Sequence, residues 1–331
     1  MALQRINWVD SAKGLGILCV VMGHTHVPTE VHHFIYSFHM PLFFMLSGIF
    51  LLQKERTLNE ELKRKALSLL VPYGVFNLVH LVFLKLLLPW IKGQLLSMTE
   101  LLTTLQGIVV GDRMHSWLWF LPCLFGAELL IVVCARICRR TDWAGVVLLV
   151  LGCLLNAFVA KPLPMSADNM MIAAGFIAAG IWFRNHSPKF SWGAIILLAV
   201  AYTVFSNLSL DSLHGRSIEM YVCRYGNYLY FVGAALSAIC LILGFIRKVP
   251  NNPILCWLGK NSLLIYCLHT LLLQIPYAVE KRLPTFLPDK DWQNLVVSLL
   301  STVFVCLAMV PLVYAVNRYA PWMLGKKREH L

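Results

Sequence analysis

The chain has 331 residues, of which 59% are apolar and only 13% charged, with a mean hydropathy of +0.70. Soluble domains carry roughly 25% charged residues, so this composition excludes a soluble protein; the length suffices for about ten membrane spans and little else. The net charge of +12 implies no nucleic acid, because basic loops facing an anionic inner leaflet account for it.

Apolar runs between polar breaks predict spans at 12–28, 37–53, 67–90, 117–135, 144–160, 169–184, 191–207, 226–246, 262–279 and 293–317. The sixth run, MMIAAGFIAAGIWF, is rich in small residues and suits a helix packed inside a bundle. With the amino terminus inside, 19 of the 28 basic residues fall on inner segments. They run from Arg5 and Lys13, through Lys54 to Lys65, to Arg318 and Lys326 to Arg328. The positive-inside rule then predicts both termini in the cytoplasm. Nine of the ten cysteines lie in or beside predicted helices and only Cys223 in an outer loop, so no disulfide framework is expected. The first apolar run lacks a small-residue cleavage site, and its helix is expected to be retained. The fold expected is an all-α polytopic membrane bundle of about ten helices, one integral-membrane domain over 1–331 with no appended soluble domain.

Within the first run, DSAKGLGILCVVMGH places Lys13 and His24 eleven residues apart. At 100° per residue this is within about 20° of whole turns, with a rise of about 16 Å, so both side chains share one stripe at different depths. Ionisable groups at membrane depth are functional candidates by default. Burial disfavours imidazolium and keeps a ring able to accept a proton, which makes His24 the first choice of general base. A buried histidine bonded to a helix carbonyl is the structural alternative. Asp10, three residues before Lys13, is placed either to bridge to it or to favour the helix amino terminus.

The second block, FHMPLFFMLSG from Phe38 to Gly48, follows a predicted outer loop containing His26, His32 and His33. Pro41 is tolerated in a helix's first turn, which puts His39 at the outer end of the second span, near the depth of His24. Two imidazoles there suit a catalytic pair, a structural pair or a metal site. The loop histidines lack ordered ligand spacing, and no metal is expected.

Five blocks in order carry a resemblance: the Lys13 to His24 stripe, FHMPLFFMLSG, KRKALSLLVPY from Lys63 to Tyr73, WLWFLPCLF from Trp117 to Phe125, and LGKNSLLIYCLH from Leu258 to His269. Together they resemble the integral-membrane acyltransferase family 3, most of all its branch of fucose 4-O-acetylases and related acetyltransferases. The resemblance implies O-acetylation of a sugar hydroxyl in a cell-surface polysaccharide or its lipid-linked precursor. Acetyl-CoA from the cytoplasm would be the donor substrate, with no tightly bound cofactor. It implies a multi-pass protein of the inner (cytoplasmic) membrane, working beside polysaccharide assembly proteins, since this branch lacks a fused esterase-like domain. The functionally required basic residue and histidine of that family match Lys13 and His24. Where the family often has arginine this chain has lysine, a point charge in place of a bidentate fork.

Given that resemblance, Lys13 with Lys63, Arg64 and Lys65 would face the CoA phosphates, although topology and lipid contact also explain the run. His39 would join His24 at the reacting atoms. Trp119 would wall a sugar or pantetheine channel, and Ser47 would hydrogen-bond between helices. Glu128 is a carboxylate inside a span, where a bond to a basic residue on another helix is the structural reading. Asn261 and Ser262 look like a helix start explained by capping, and His269 lies within that helix, where packing accounts for it. Acceptor selection is expected on the polar outer segments Ser206 to Asn227 and Leu283 to Asp291. The rival reading is a proton-coupled transporter or flippase of a glycan-related substrate; no inverted repeat in the hydropathy supports it.

Overall fold

The computed structural model describes residues 6–94, 96–138, 140–159, 162–282 and 291–326. Among them there is no strand, only one isolated bridge between Glu219 and Arg224. The helices are α1 (Asn7–Gly23), α2 (Thr29–Tyr36), α3 (His39–Phe50), α4 (Leu58–Lys65), α5 (Val71–His80), α6 (Leu88–Ile91), α7 (Met98–Val110) and α8 (Phe120–Cys138). They continue with α9 (Thr141–Phe158), α10 (Ala167–His186), α11 (Trp192–Ser212), α12 (Tyr228–Ile246), α13 (Pro253–Lys260), α14 (Ser262–Leu272), α15 (Gln274–Glu280) and α16 (Asp291–Tyr319).

Nine helices among the described residues are long and apolar enough to cross a membrane, and they overlap the second to tenth expected spans, the second starting at Thr29 and the third at Leu58, eight and nine residues earlier than expected. The chain is therefore a multi-pass membrane protein. The first expected span is corrected: α1 starts at Asn7 and stops at Gly23, five residues earlier at each end than 12–28. It stops there because His24, Thr25 and His26 are polar and Pro28 opens the next helix. His32 and His33 lie on α2, not in a loop, since Pro28 sits at φ −52° and starts a helical turn. The third span begins at Leu58, so Lys63, Arg64 and Lys65 are helical. There Thr57 and Glu60 form a reciprocal capping box, and π-helical segments Ala66–Leu70 and Leu81–Leu87 join α4, α5 and α6 into one rod. Arg5, Arg139, Lys327, Arg328 and 283–290 of the expected outer segment lie outside the described residues.

Two compact units divide the chain. The first comprises Met1–Leu46, Asn185–Met220 and Arg224–Val310, the second Ser47–Arg184, Tyr221–Cys223 and Pro311–Leu331.

In the first unit α1 is the central element, with Val9, Ala12, Ile17, Val20 and Val21 at most 1% exposed. Its small residues allow α13 to cross with backbones in contact. A Cβ at Gly14 would collide with the Leu255 carbonyl, and one at Gly259 with the Asp10 carbonyl. Such crossings replace hydrophobic drive by close packing, the usual means of helix association in lipid. Ser11 Oγ and Cys256 Sγ meet at 3.2 Å in this crossing. α2 is tied to α11, where Tyr202 Oη donates to the Phe34 carbonyl at 3.0 Å and His33 Nε2 to that of Ser206 at 2.9 Å. Gly14→Val should separate α1 from α13. We expect a loss of folded protein in gel filtration from detergent, with Leu15→Val on the same helix as the tolerated control.

The second unit closes its helices in the same way, with Gly48 against the Ile177 carbonyl and Gly145 against Ala178. Tyr73 Oη donates to the Ile108 carbonyl at 2.7 Å, fixing α5 to α7.

Candidate active site

Helix α1 carries Lys13 in its second turn and ends on His24 as its C-cap, at φ −95° and ψ 8°. The eleven-residue offset is thus realised along one continuous helix. A helix leaves its last carbonyls without intrahelical donors, and here side chains take them up. His24 Nδ1 donates to Val20 O at 2.9 Å, Thr25 Oγ1 to Met22 O at 2.6 Å, and Tyr36 Oη to Gly23 O at 3.3 Å. Tyr277 Oη, from α15, donates to the His24 carbonyl. The end of α1 is therefore held from α2 and from α15.

The ring of His24 meets that of His269 edge to face, with centroids 4.8 Å apart. Tyr36 lies 6.4 Å from His24 and 4.8 Å from His39, and His32 stacks on Tyr36 at 3.8 Å. His39 and His269 are buried, 3% and 2% exposed. The histidine nearest His24 by ring contact is thus His269, and His39 is reached through Tyr36.

The three imidazoles share one hydrogen-bond pattern. His39 Nδ1 bonds Ile35 O at 2.8 Å and His269 Nδ1 bonds Tyr266 O at 2.8 Å, as His24 Nδ1 bonds Val20 O. A carbonyl oxygen only accepts, so each Nδ1 carries the proton, and in the neutral ring Nε2 holds the lone pair. Each such bond runs to a residue three or four positions earlier, so the helix itself selects the tautomer.

Asp10 is 8% exposed, with one carboxylate oxygen buried and without a hydrogen-bond partner. Lys13 is half-buried one turn further on. Asn261 turns back to donate to the Trp257 carbonyl at 2.8 Å, and no side-chain cap bond starts α14. This corrects the expectation of capping: at φ −108° and ψ 10° Asn261 also closes α13, leaving no extended N-cap geometry. Ser262 is the first residue of α14.

The remaining expected residues belong to the second unit. Lys65, 9% exposed, and Ser47 both donate to Glu128, itself 1% exposed. The intramembrane carboxylate thus has the basic helix partner that its burial demands, and Lys65 turns into the unit. Arg64 instead pairs with Glu61, which also receives Arg56 at 3.2 Å. Trp119 packs on Phe120 and Tyr221, centroids 6.3 and 6.4 Å away.

A further charged cluster of the second unit has no counterpart in the sequence reading. Arg113, 2% exposed, donates to Asp168 Oδ2 at 2.5 Å and to Cys223 Sγ at 3.4 Å. The backbone amides of Leu163 and Asn169 also reach the Asp168 carboxylate, at 3.0 and 2.9 Å. Burial pushes the Cys223 thiol up to about 11, although the guanidinium favours thiolate. Among the described residues no group of three or more metal-ligating side chains forms, and the ten cysteines are unpaired with each other.

Of these contacts, Tyr36 to His39 was legible as an i, i+3 pair in FIYSFH, whereas Tyr277 and Arg113 carry no local signal. Residues 6–318 match the model of the acyltransferase 3 family, described as an acyltransferase domain. No curated protein and no solved structure matches the chain. With nearly the whole length matched and nine membrane-crossing helices, the chain belongs to the acyltransferase 3 family and is a multi-pass membrane acyltransferase.

Proposed function

We propose that this acyltransferase moves an acetyl group from cytoplasmic acetyl-CoA to a sugar hydroxyl of a cell-surface polysaccharide or its lipid-linked precursor, in the inner membrane. The observation that supports it best is the His24 tautomer, whose Nδ1 proton is committed to the Val20 carbonyl. That leaves Nε2 as the atom that takes the acceptor proton. A sugar hydroxyl is a poor nucleophile at neutral pH and needs such a base. As its oxygen attacks the thioester carbonyl, the O–C bond forms, the C–S bond breaks and the proton passes through His24 to the departing CoA thiolate. His269 fixes the plane of the His24 ring, and His39 is the second imidazole of the site. The specific branch, that of the fucose 4-O-acetylases, is part of this proposal.

Lys13 faces the donor in this reading, while Arg64 of the second unit is paired with Glu61. Lys65 serves the Glu128 and Ser47 cluster, and Asp10 supports Lys13. Purified protein in nanodiscs with radiolabelled acetyl-CoA and the cell's own glycan fraction tests the assignment; label that never reaches glycan rejects it. For the donor side, Lys13→Arg should keep activity, while Lys13→Gln should raise KM for acetyl-CoA more than KM for the acceptor. Equal rises in both would contradict a donor role. Orientation is tested separately with single cysteines. One replacing the exposed Glu30 on α2 should react with impermeant reagents from outside, and one replacing Glu60 only in opened membranes. The reverse pattern inverts the topology.

A further inference from the structure

Beside the end of α1, the first unit contains a cavity of about 450 Å³ between α15 and α16. Its walls are apolar, formed by Ile275, Pro276 and Val279 on one side and Val297, Leu300 and Phe304 on the other. Ile275, Val279, Leu300 and Phe304 are each 37% exposed or more, and both helices belong to membrane-crossing segments. Hydrocarbon, not water, therefore lies against this groove. The volume is within the range of ligand sites, about 300 to 1,000 Å³.

One end of the groove is polar. Glu280 receives His26 Nδ1 at 2.7 Å and Ser301 Oγ at 3.3 Å, and Asn294 also lines the groove. This end adjoins the candidate active site by two routes. His26 follows His24 by two residues, and Tyr277, on the same short helix as the groove residues, holds the His24 carbonyl. The polar groups of the groove thus sit on the segments that adjoin His24.

We propose that this groove holds the hydrocarbon chain of an amphipathic acceptor, with an uncharged sugar head at Glu280 and His26 presenting its hydroxyl to His24. The proposal rests on the sugar O-acetyltransferase reading and narrows its acceptor to a lipid-anchored one. Glu280 decides the head chemistry. A carboxylate only accepts hydrogen bonds, so it suits a polyol's hydroxyl groups and repels the phosphate of an ordinary membrane phospholipid.

The test uses the full chain in phosphatidylcholine nanodiscs, with paired decyl and methyl glycosides of the common hexoses as acceptors and a diazirine-tagged decyl glucoside as a binding probe. We expect the probe to label α15 and α16 in the groove, with competition by decyl but not methyl glucoside and not by added phosphatidylcholine. Val297→Trp, which fills the groove, should cut labelling about tenfold and raise the ratio of KM for decyl to methyl glycoside by a similar factor, equivalent to about 1.4 kcal/mol. Val303→Trp, on the same helix outside the lining, should leave both readouts at the wild-type level. Labelling that phosphatidylcholine removes, or an unchanged KM ratio in Val297→Trp, overturns the proposal. Specific labelling with no acetyl transfer to any glycoside would instead count against the sugar-acetylation reading and keep the groove as a lipid-chain site.

Discussion

His24→Ala should lower acetyl transfer by about 10²- to 10⁴-fold, the usual contribution of a positioned general base, while the protein still inserts and folds. The fold is expected to survive because the ring contributes one hydrogen bond to the helix end. Thr25, Tyr36 and Tyr277 still satisfy the neighbouring carbonyls. The variant should keep the wild-type elution volume in gel filtration and should still bind acetyl-CoA, since Lys13 lies eleven residues away on the same helix. His24→Gln separates the chemistry from the packing: an amide can bond the Val20 carbonyl but is no base, so it should be as inactive as alanine. Transfer by either variant within about threefold of wild type removes His24 from the mechanism.

The largest effect on stability is expected at Asp168. Removing one partner of a buried ion pair strands the other charge and typically costs about 3–5 kcal/mol. Here Arg113 and Asp168 are 2% and 1% exposed, and Asp168 also takes two backbone amides. Asp168→Ala should therefore lower the unfolding midpoint in detergent by several degrees and reduce yield. Replacing both partners, Arg113→Met with Asp168→Leu, should recover much of the loss, because no uncompensated charge remains. Asp168→Ala melting with the wild type would show that water or lipid headgroups already reach the guanidinium. His24→Ala is the matched control, expected to lose activity without losing stability.

Hydropathy alone located nine of the ten expected spans, because a bilayer demands about twenty apolar residues wherever a helix crosses and that demand is written locally. The continuity of one helix from Lys13 to His24 was legible as well, because the run between them is apolar. So was the basic partner of Glu128 as a class of residue, since an intramembrane carboxylate requires one, although which lysine answers it was not.

Helix ends and partners over long separations were decided only by tertiary structure. α1 crosses α13 through Gly14 and Gly259, a match of two backbones some 245 positions apart that no window of sequence contains. His269 read as packing because its own helix explains it; only that crossing and the approach of α14 bring it against His24. Local chemistry thus fixed which residues lie at depth, and close packing of small residues fixed which of them meet.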